Sequence, residues 1–120
     1  KMMEVIMKIS GFAKVYYLKK TTIRYYTSVK LLNPKQTDEY LNYDACHDEM
    51  KYILKYKDMG FSIDEIVILK QSENSIVEDN DYASEKVRAI LNDKINEIET
   101  NIKKEEVQIE DLYRRIEDLN

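Results

Sequence analysis

Apolar positions along this chain follow two regimes. Up to about residue 70 they come in short clusters separated by polar turns. From residue 91 onward they recur at a steady interval. The early clusters predict short helices. Ser10 to Tyr16 is the first, with Ser10 as a candidate N-cap and Phe12 and Val15 three apart on one face. Lys20 to Ser28 is the second, where Ile23 and Tyr26 share an i, i+3 face. Two short helices with a tight joint fit a helix-turn-helix. "LLNPKQTDEYLNY" then breaks the helical period. It predicts a two-stranded wing, with Leu31-Leu32 outward, a turn from Asn33 to Glu39, and Tyr40-Leu41-Asn42 returning. A plain loop is the alternative. A third helix is expected from Asp44 to Met59, with Met50, Ile53, Leu54 and Lys57 on one face and Gly60 as its stop. "SIDE", Ser62 to Glu65, is a capping box that opens a fourth helix to about Lys70. Ile63, Ile66, Val67 and Leu69 supply its buried face in some combination.

The second regime is a single long helix. Leu91, Ile95, Ile98, Ile102, Ile109, Leu112, Ile116 and Leu119 alternate in steps of three and four, with Glu105 at the one skipped position. That is the seam of a four-heptad coiled coil with one polar break. The stripe is too narrow for the usual face of a globular-core helix. Beginning at Asp81 or Tyr82, such a helix would be roughly 57 Å long at 1.5 Å per residue. Its seam calls for a partner helix, most simply from a second copy in a two-fold dimer. Packing back on its own domain is the competing arrangement. The pattern leaves helix orientation open. The expected organisation is therefore a winged helix-turn-helix domain over residues 7–70, a polar linker over 71–80 ("QSENSIVEDN") and a dimerisation helix over 81–120.

Composition and charge sharpen this picture. Only 2 Gly and 1 Pro in 120 residues leave few breaking points, which favours long helices. The net charge of −4 conceals a division. Residues 1–35 carry eight basic side chains against Glu4, or +7, and the remainder carries eleven basic against twenty-two acidic, or −11. Phosphate contacts depend on the local field, so an acidic whole does not exclude nucleic acid. The single Cys46 excludes an internal disulfide and a multi-cysteine zinc site. A reducing, cytoplasmic setting is expected. No apolar run approaches a membrane span, and the first residues lack a secretory signal pattern. Met7 is a candidate start.

The candidate chemistry lies in "KKTTIRYYTSVKLLNP", Lys19 to Pro34. Lys19, Lys20 and Arg24 suit phosphates, and Lys35 adds a cation beyond the run. Thr21 and Thr22 suit phosphate or a thymine methyl. Adjacent side chains on a helix lie about 100° apart, so Tyr25 and Tyr26 divide, one into the core with Ile23 and one toward phosphate. Cys46-His47 has no second ligand pair nearby and predicts surface residues at a helix start, not a metal site. Asp79, Asp81 and Glu85 lack the spacing of a calcium loop and suit a helix N-terminus. Tyr52, Tyr56, Tyr82 and Tyr113 suit either packing at helix joints or an aromatic effector pocket. No phosphate loop, nucleophile–base set or carboxylate pair points to an enzyme, and no cofactor is implied.

"MKISGFAK", "TTIRYYTSVKLLNP", "EYLNYD" and "KYKDMGFSIDEI", in that order before a long terminal helix, resemble the MerR family of transcription regulators. The resemblance is detailed over about residues 7–70 and architectural over 80–120. It implies a mostly α fold, a winged helix-turn-helix with a small β wing followed by a long antiparallel coiled-coil dimerisation helix. It further implies a homodimer on a pseudo-palindromic operator in double-stranded DNA, bending and untwisting a promoter for RNA polymerase under an effector that the sequence does not name. Thr22, Arg24, Tyr25 and Tyr26, with Tyr40 and Tyr43 at the wing, match its DNA-contacting positions. Departures stand beside the match. Tyr17 replaces a customary glycine at the helix-turn-helix joint, and Lys19 replaces a serine or threonine cap. Thr21 could therefore take over capping and shorten the second helix. Glu39-Tyr40-Leu41 stands where the family has Gly-Tyr-Arg, and Tyr43 to Gly60 is one residue shorter than usual. Weaker or differently spaced operator binding is the expectation. A coiled-coil interaction or architectural protein is the alternative function.

Overall fold

A computed structural model describes residues 5–74 and 81–120. The chain divides into two units, Lys1–Ile76 and Val77–Asn120. The first holds α1 (Ile9–Val15), α2 (Lys20–Ser28), a two-stranded antiparallel sheet of β1 (Lys35–Gln36) and β2 (Leu41–Asn42), α3 (His47–Asp58) and α4 (Ile63–Asn74). The second is α5 (Asp81–Asp118), 38 residues of uninterrupted helix.

Three helices of the first unit end in the same way. After α1, Tyr17 takes φ 56°, and the Leu18 N–H reaches back to the Ala13 carbonyl at 2.9 Å. After α2, Lys30 takes φ 65°, and the Leu31 N–H reaches the Tyr26 carbonyl at 3.0 Å. After α3, Gly60 takes φ 94°, and the Phe61 N–H reaches the Tyr56 carbonyl at 3.1 Å. Each is a left-handed C-terminal cap, followed by an apolar residue turned toward the core. Gly60 adopts this conformation freely, whereas a side chain costs about 1–2 kcal/mol there. Tyr17 and Lys30 hold it because Leu18 and Leu31 gain packing and the last carbonyls gain donors.

The core draws on all four short helices. Phe12, Ile23, Met50, Ile53 and Ile66 are completely buried, and Leu31, Leu32, Phe61 and Leu69 nearly so. Val15 and Leu54, expected on inward faces, are exposed instead. Tyr16 takes the place beside Phe12, with ring centroids 4.9 Å apart. The Ser62 capping box forms as its sequence predicts. Ser62 N–H donates to Glu65 Oε1 at 2.8 Å, and Glu65 N–H donates to Ser62 Oγ at 3.1 Å.

The wing differs from its expected boundaries. Leu31 and Leu32 are not its first strand, because both of their N–H groups are taken by the Tyr26 carbonyl and both side chains are buried. Pairing begins only after Pro34, with Lys35 opposite Asn42 and Gln36 opposite Leu41. Thr37 closes the turn: its N–H and Oγ1 both donate to the Tyr40 carbonyl, and its Oγ1 accepts from the Tyr40 N–H. Glu49 on α3 anchors the approach, accepting from the N–H of Asn33 at 2.9 Å and from its Nδ2 at 2.7 Å. α4 runs to Asn74, into the stretch expected to be linker, and residues 75–80 lie outside the described residues.

Candidate nucleic-acid interface

The i, i+3 spacing of Ile23 and Tyr26 turns both into the core, where Ile23 is fully buried and Tyr26 is 3% exposed. The opposite face of α2 is left to Thr21, Arg24, Tyr25 and Ser28, with Lys19 and Lys20 at its start, all exposed. Thr22 is half-buried at the border. Tyr25 and Tyr26 thus divide as their angular separation requires. Tyr26 packs, and Tyr25 faces solvent. Among the described residues, Lys19, Lys20 and Arg24 pair with no carboxylate, so their charge is available to an external anion.

The expected shortening of α2 does not occur. The helix starts at Lys20, with Lys19 in the extended N-cap conformation (φ −77°, ψ 150°) and no side-chain cap. Thr21 lies within the first turn. The helix forms without a capping hydroxyl because the Lys19 carbonyl accepts from both Thr22 N–H at 3.1 Å and Ile23 N–H at 3.3 Å. Ser10, similarly, is inside α1 and not its cap; Lys8 holds that position without a side-chain hydrogen bond.

At the wing, Lys35 is exposed and Tyr40 half-buried. Tyr43, expected at the DNA surface, is corrected to a core position, being 1% exposed. Its ring lies 5.3 Å from Phe12, and its hydroxyl meets Thr27 Oγ1 at 2.9 Å. Because Thr27 already donates to the Ile23 carbonyl at 2.8 Å, Tyr43 is the donor in this pair. Tyr43 therefore ties the wing to the last turn of α2. Tyr26 and Tyr43 both act beneath the surface, setting how the exposed residues are presented.

Lys8 was not singled out among the interface residues by its sequence pattern. Its Nζ lies 4.8 Å from the centroid of the Tyr40 ring, a cation–π arrangement. The segment before it is pinned to the wing. Met7 N–H donates to Asn42 Oδ1 at 2.9 Å, Asn42 Nδ2 donates to the Val5 carbonyl at 3.1 Å, and Tyr43 N–H donates to the Met7 carbonyl at 2.8 Å. These contacts span 35 to 37 residues, which no local spacing encodes.

Cys46 is also corrected, from surface to core. It is fully buried in a 3-10 turn over Asp44–Cys46. Burial first, then the nearby Glu49 carboxylate, pushes its thiol up to about 11, so it is a protonated core residue at neutral pH. His47 is half-buried, its Nδ1 sharing a hydrogen bond with the Tyr16 hydroxyl at 2.5 Å. No group of three or more His, Cys, Asp or Glu among the described residues is placed to hold a metal ion. Tyr52 and Tyr56 pack ring to ring at 4.7 Å where α3 meets α4, and Tyr52 donates to Glu73 Oε1 at 3.1 Å. Tyr113 sits on α5, in the other unit, while the side chain of Tyr82 and all of Asp79 lie outside the described residues.

The sequence signature "MerR HTH family regulatory protein" matches residues 7–73, which spans α1 through α4. The chain belongs to the MerR family. No curated protein sequence matches it. Among solved structures it is similar to HiNmlR, described as a MerR family regulator lacking the sensor domain and bound to promoter DNA. The identity is 16%, with 93% of this chain and 88% of that one covered and a TM-score of 0.62. It is also similar to a MerR family transcriptional regulator from Bacillus cereus, at 23% identity, with 90% and 75% covered and a TM-score of 0.54. The MerR architecture of a DNA-binding helix-turn-helix, a two-stranded wing and a long terminal helix is thus present here. No helix among the described residues is long and apolar enough to cross a membrane.

Proposed function

We propose that this MerR chain is a cytoplasmic transcription regulator that binds a pseudo-palindromic operator in double-stranded DNA as a homodimer. The observation that carries the reading is the outer face of α2. It has three cations without carboxylate partners among the described residues, two of them at the helix start, beside an exposed tyrosine and threonine. A helix laid in the major groove presents its N-terminal residues to base edges and its flanking cations to phosphates. Lys19, Lys20, Arg24 and Lys35 neutralise phosphates in this reading. Thr21, Thr22, Tyr25 and Tyr40 supply hydrogen bonds and apolar contacts, and Tyr26 and Tyr43 hold the element in place.

The α5 seam supports the dimer. Leu91, Ile95, Ile98, Ile102, Ile109, Leu112 and Ile116 lie exposed along it, with Leu119 just past its end. An antiparallel pair of α5 helices would cover them. Bending and untwisting of promoter DNA for RNA polymerase, under an effector, completes the proposed mechanism.

An electrophoretic shift against the DNA upstream of the gene tests the reading. A specific, salt-sensitive shift is expected, and none at low salt would sink it. Arg24→Ala should weaken binding across sequences and flatten the salt dependence by about 0.9 in log–log slope per protomer for one lost phosphate contact.

A further inference from the structure

We propose that the hollow between α2 and the wing seats one sugar–phosphate unit of the DNA backbone, with Lys8 as its phosphate-binding cation. This rests on the DNA-binding reading and names a contact within that interface.

The wing has one cation, Lys35 on β1, which does not line the hollow beside α2. Its turn carries Asp38 and Glu39, both exposed, and β2 contributes Leu41 and Asn42, neither of them charged. Yet an open hollow of about 370 Å³ lies between the wing and α2, its lining including Ile9, Tyr40, Leu41 and Tyr43 together with Lys8 and Arg24. The lining is mostly apolar carbon, which suits the faces of a deoxyribose. The two cations converge on it from different elements, Arg24 from α2 and Lys8 from the start of α1. Neither is paired with a carboxylate among the described residues. A neutral apolar ligand would leave both charges unanswered, whereas a phosphodiester answers both and buries its sugar on the floor between them.

Lys8 is prepared for this role by its neighbours. The Met7 main chain is fastened on both sides to Asn42 and Tyr43. The Lys8 carbonyl accepts from Phe12 N–H at 3.0 Å, starting α1. Its backbone is thereby fixed between wing and helix. Its ammonium, 4.8 Å from the Tyr40 ring centroid, is held at the hollow by the ring face. The cation that the wing side of the hollow lacks is delivered from the N-terminal segment bonded to the wing.

The test uses the full chain and a fluorescent random-sequence duplex, since a backbone contact needs no operator. Anisotropy titrations from 50 to 200 mM salt give the log–log slope for wild type, Lys8→Ala, Arg24→Ala and the double variant, with circular dichroism confirming that each is folded. Lys8→Ala is expected to weaken binding and to reduce the slope by up to about 0.9 per protomer, since Arg24 still stands beside the same phosphate. The double variant should reduce it by about 0.9 in all, the share of one phosphate, and not by the roughly 1.8 of two separate contacts. A Lys8→Ala affinity and slope both equal to wild type, or a double-variant loss near roughly 1.8, would overturn the shared seat while leaving the DNA reading intact. Failure of the wild type to bind any duplex at low salt would overturn both.

Discussion

The two units use the same residue types to opposite ends. In the first, Phe12, Ile23, Met50, Ile53 and Ile66 have no exposed surface. In α5, Ile95, Ile102, Ile109 and Ile116 are each about half exposed, at 50%, 49%, 53% and 56%. Hydrophobicity does not account for the difference; spacing and interruption do. Short helices ending in left-handed caps reverse direction, so their apolar faces converge on one core. A 38-residue helix without a cap in its interior cannot turn back on itself. Its apolar residues, three and four apart, form a line. A line can be buried only by another line. At half exposure each Ile or Leu forgoes on the order of 1 kcal/mol of burial, and eight such positions favour pairing with a second helix strongly.

The largest expected effect breaks the first unit alone. Phe12→Ala empties a site ringed by Tyr16, Tyr43 and His47. It should cost about 3–5 kcal/mol, seen in urea melts as a large fall in midpoint. A loss below about 1 kcal/mol would show that the core does not converge there. Next comes Ile102→Lys, at the middle of the seam. Light scattering should fall from a dimer to the 14.3 kDa monomer, with little effect on the unfolding of α1 to α4. A wild type already at monomer mass would remove the contrast between the units. The smallest effect concerns the caps. Tyr17→Gly and Lys30→Gly should each stabilise by up to about 1 kcal/mol, and Gly60→Ala should destabilise by a similar amount. Thermal melts showing Tyr17→Gly less stable would mean that the exposed Tyr17 ring contributes contacts of its own.

Local spacing carried much of this molecule. Ile23 and Tyr26 set the inward face of α2, Ser62 and Glu65 set the start of α4, Gly60 set the end of α3, and the three-and-four rhythm from Leu91 set α5. In each case residues within about one or two turns interact with one another or share one face, so their order along the chain suffices. The charge division was equally visible, because it depends only on counting. The family, too, was legible from "TIRYY" and "GFSIDEI" in sequence.

What only the tertiary structure decided was which aromatic and which cation serve the surface. Tyr40 and Tyr43 look alike on the chain, but the Tyr43 hydroxyl finds Thr27 sixteen positions away and its ring is drawn into the core. Cys46 stands next to His47 at a helix start, where a surface is expected, and is nevertheless fully buried, interacting with Glu49 and Asn33. Leu31 and Leu32 suit a strand until the Tyr26 carbonyl takes both of their N–H groups. Lys8 reaches the wing only because Asn42 and Tyr43 bind the segment before it across 35 or more residues. These outcomes depend on partners distant in sequence, and their selection is made by packing, where a buried polar group must find a partner and an apolar one must leave water.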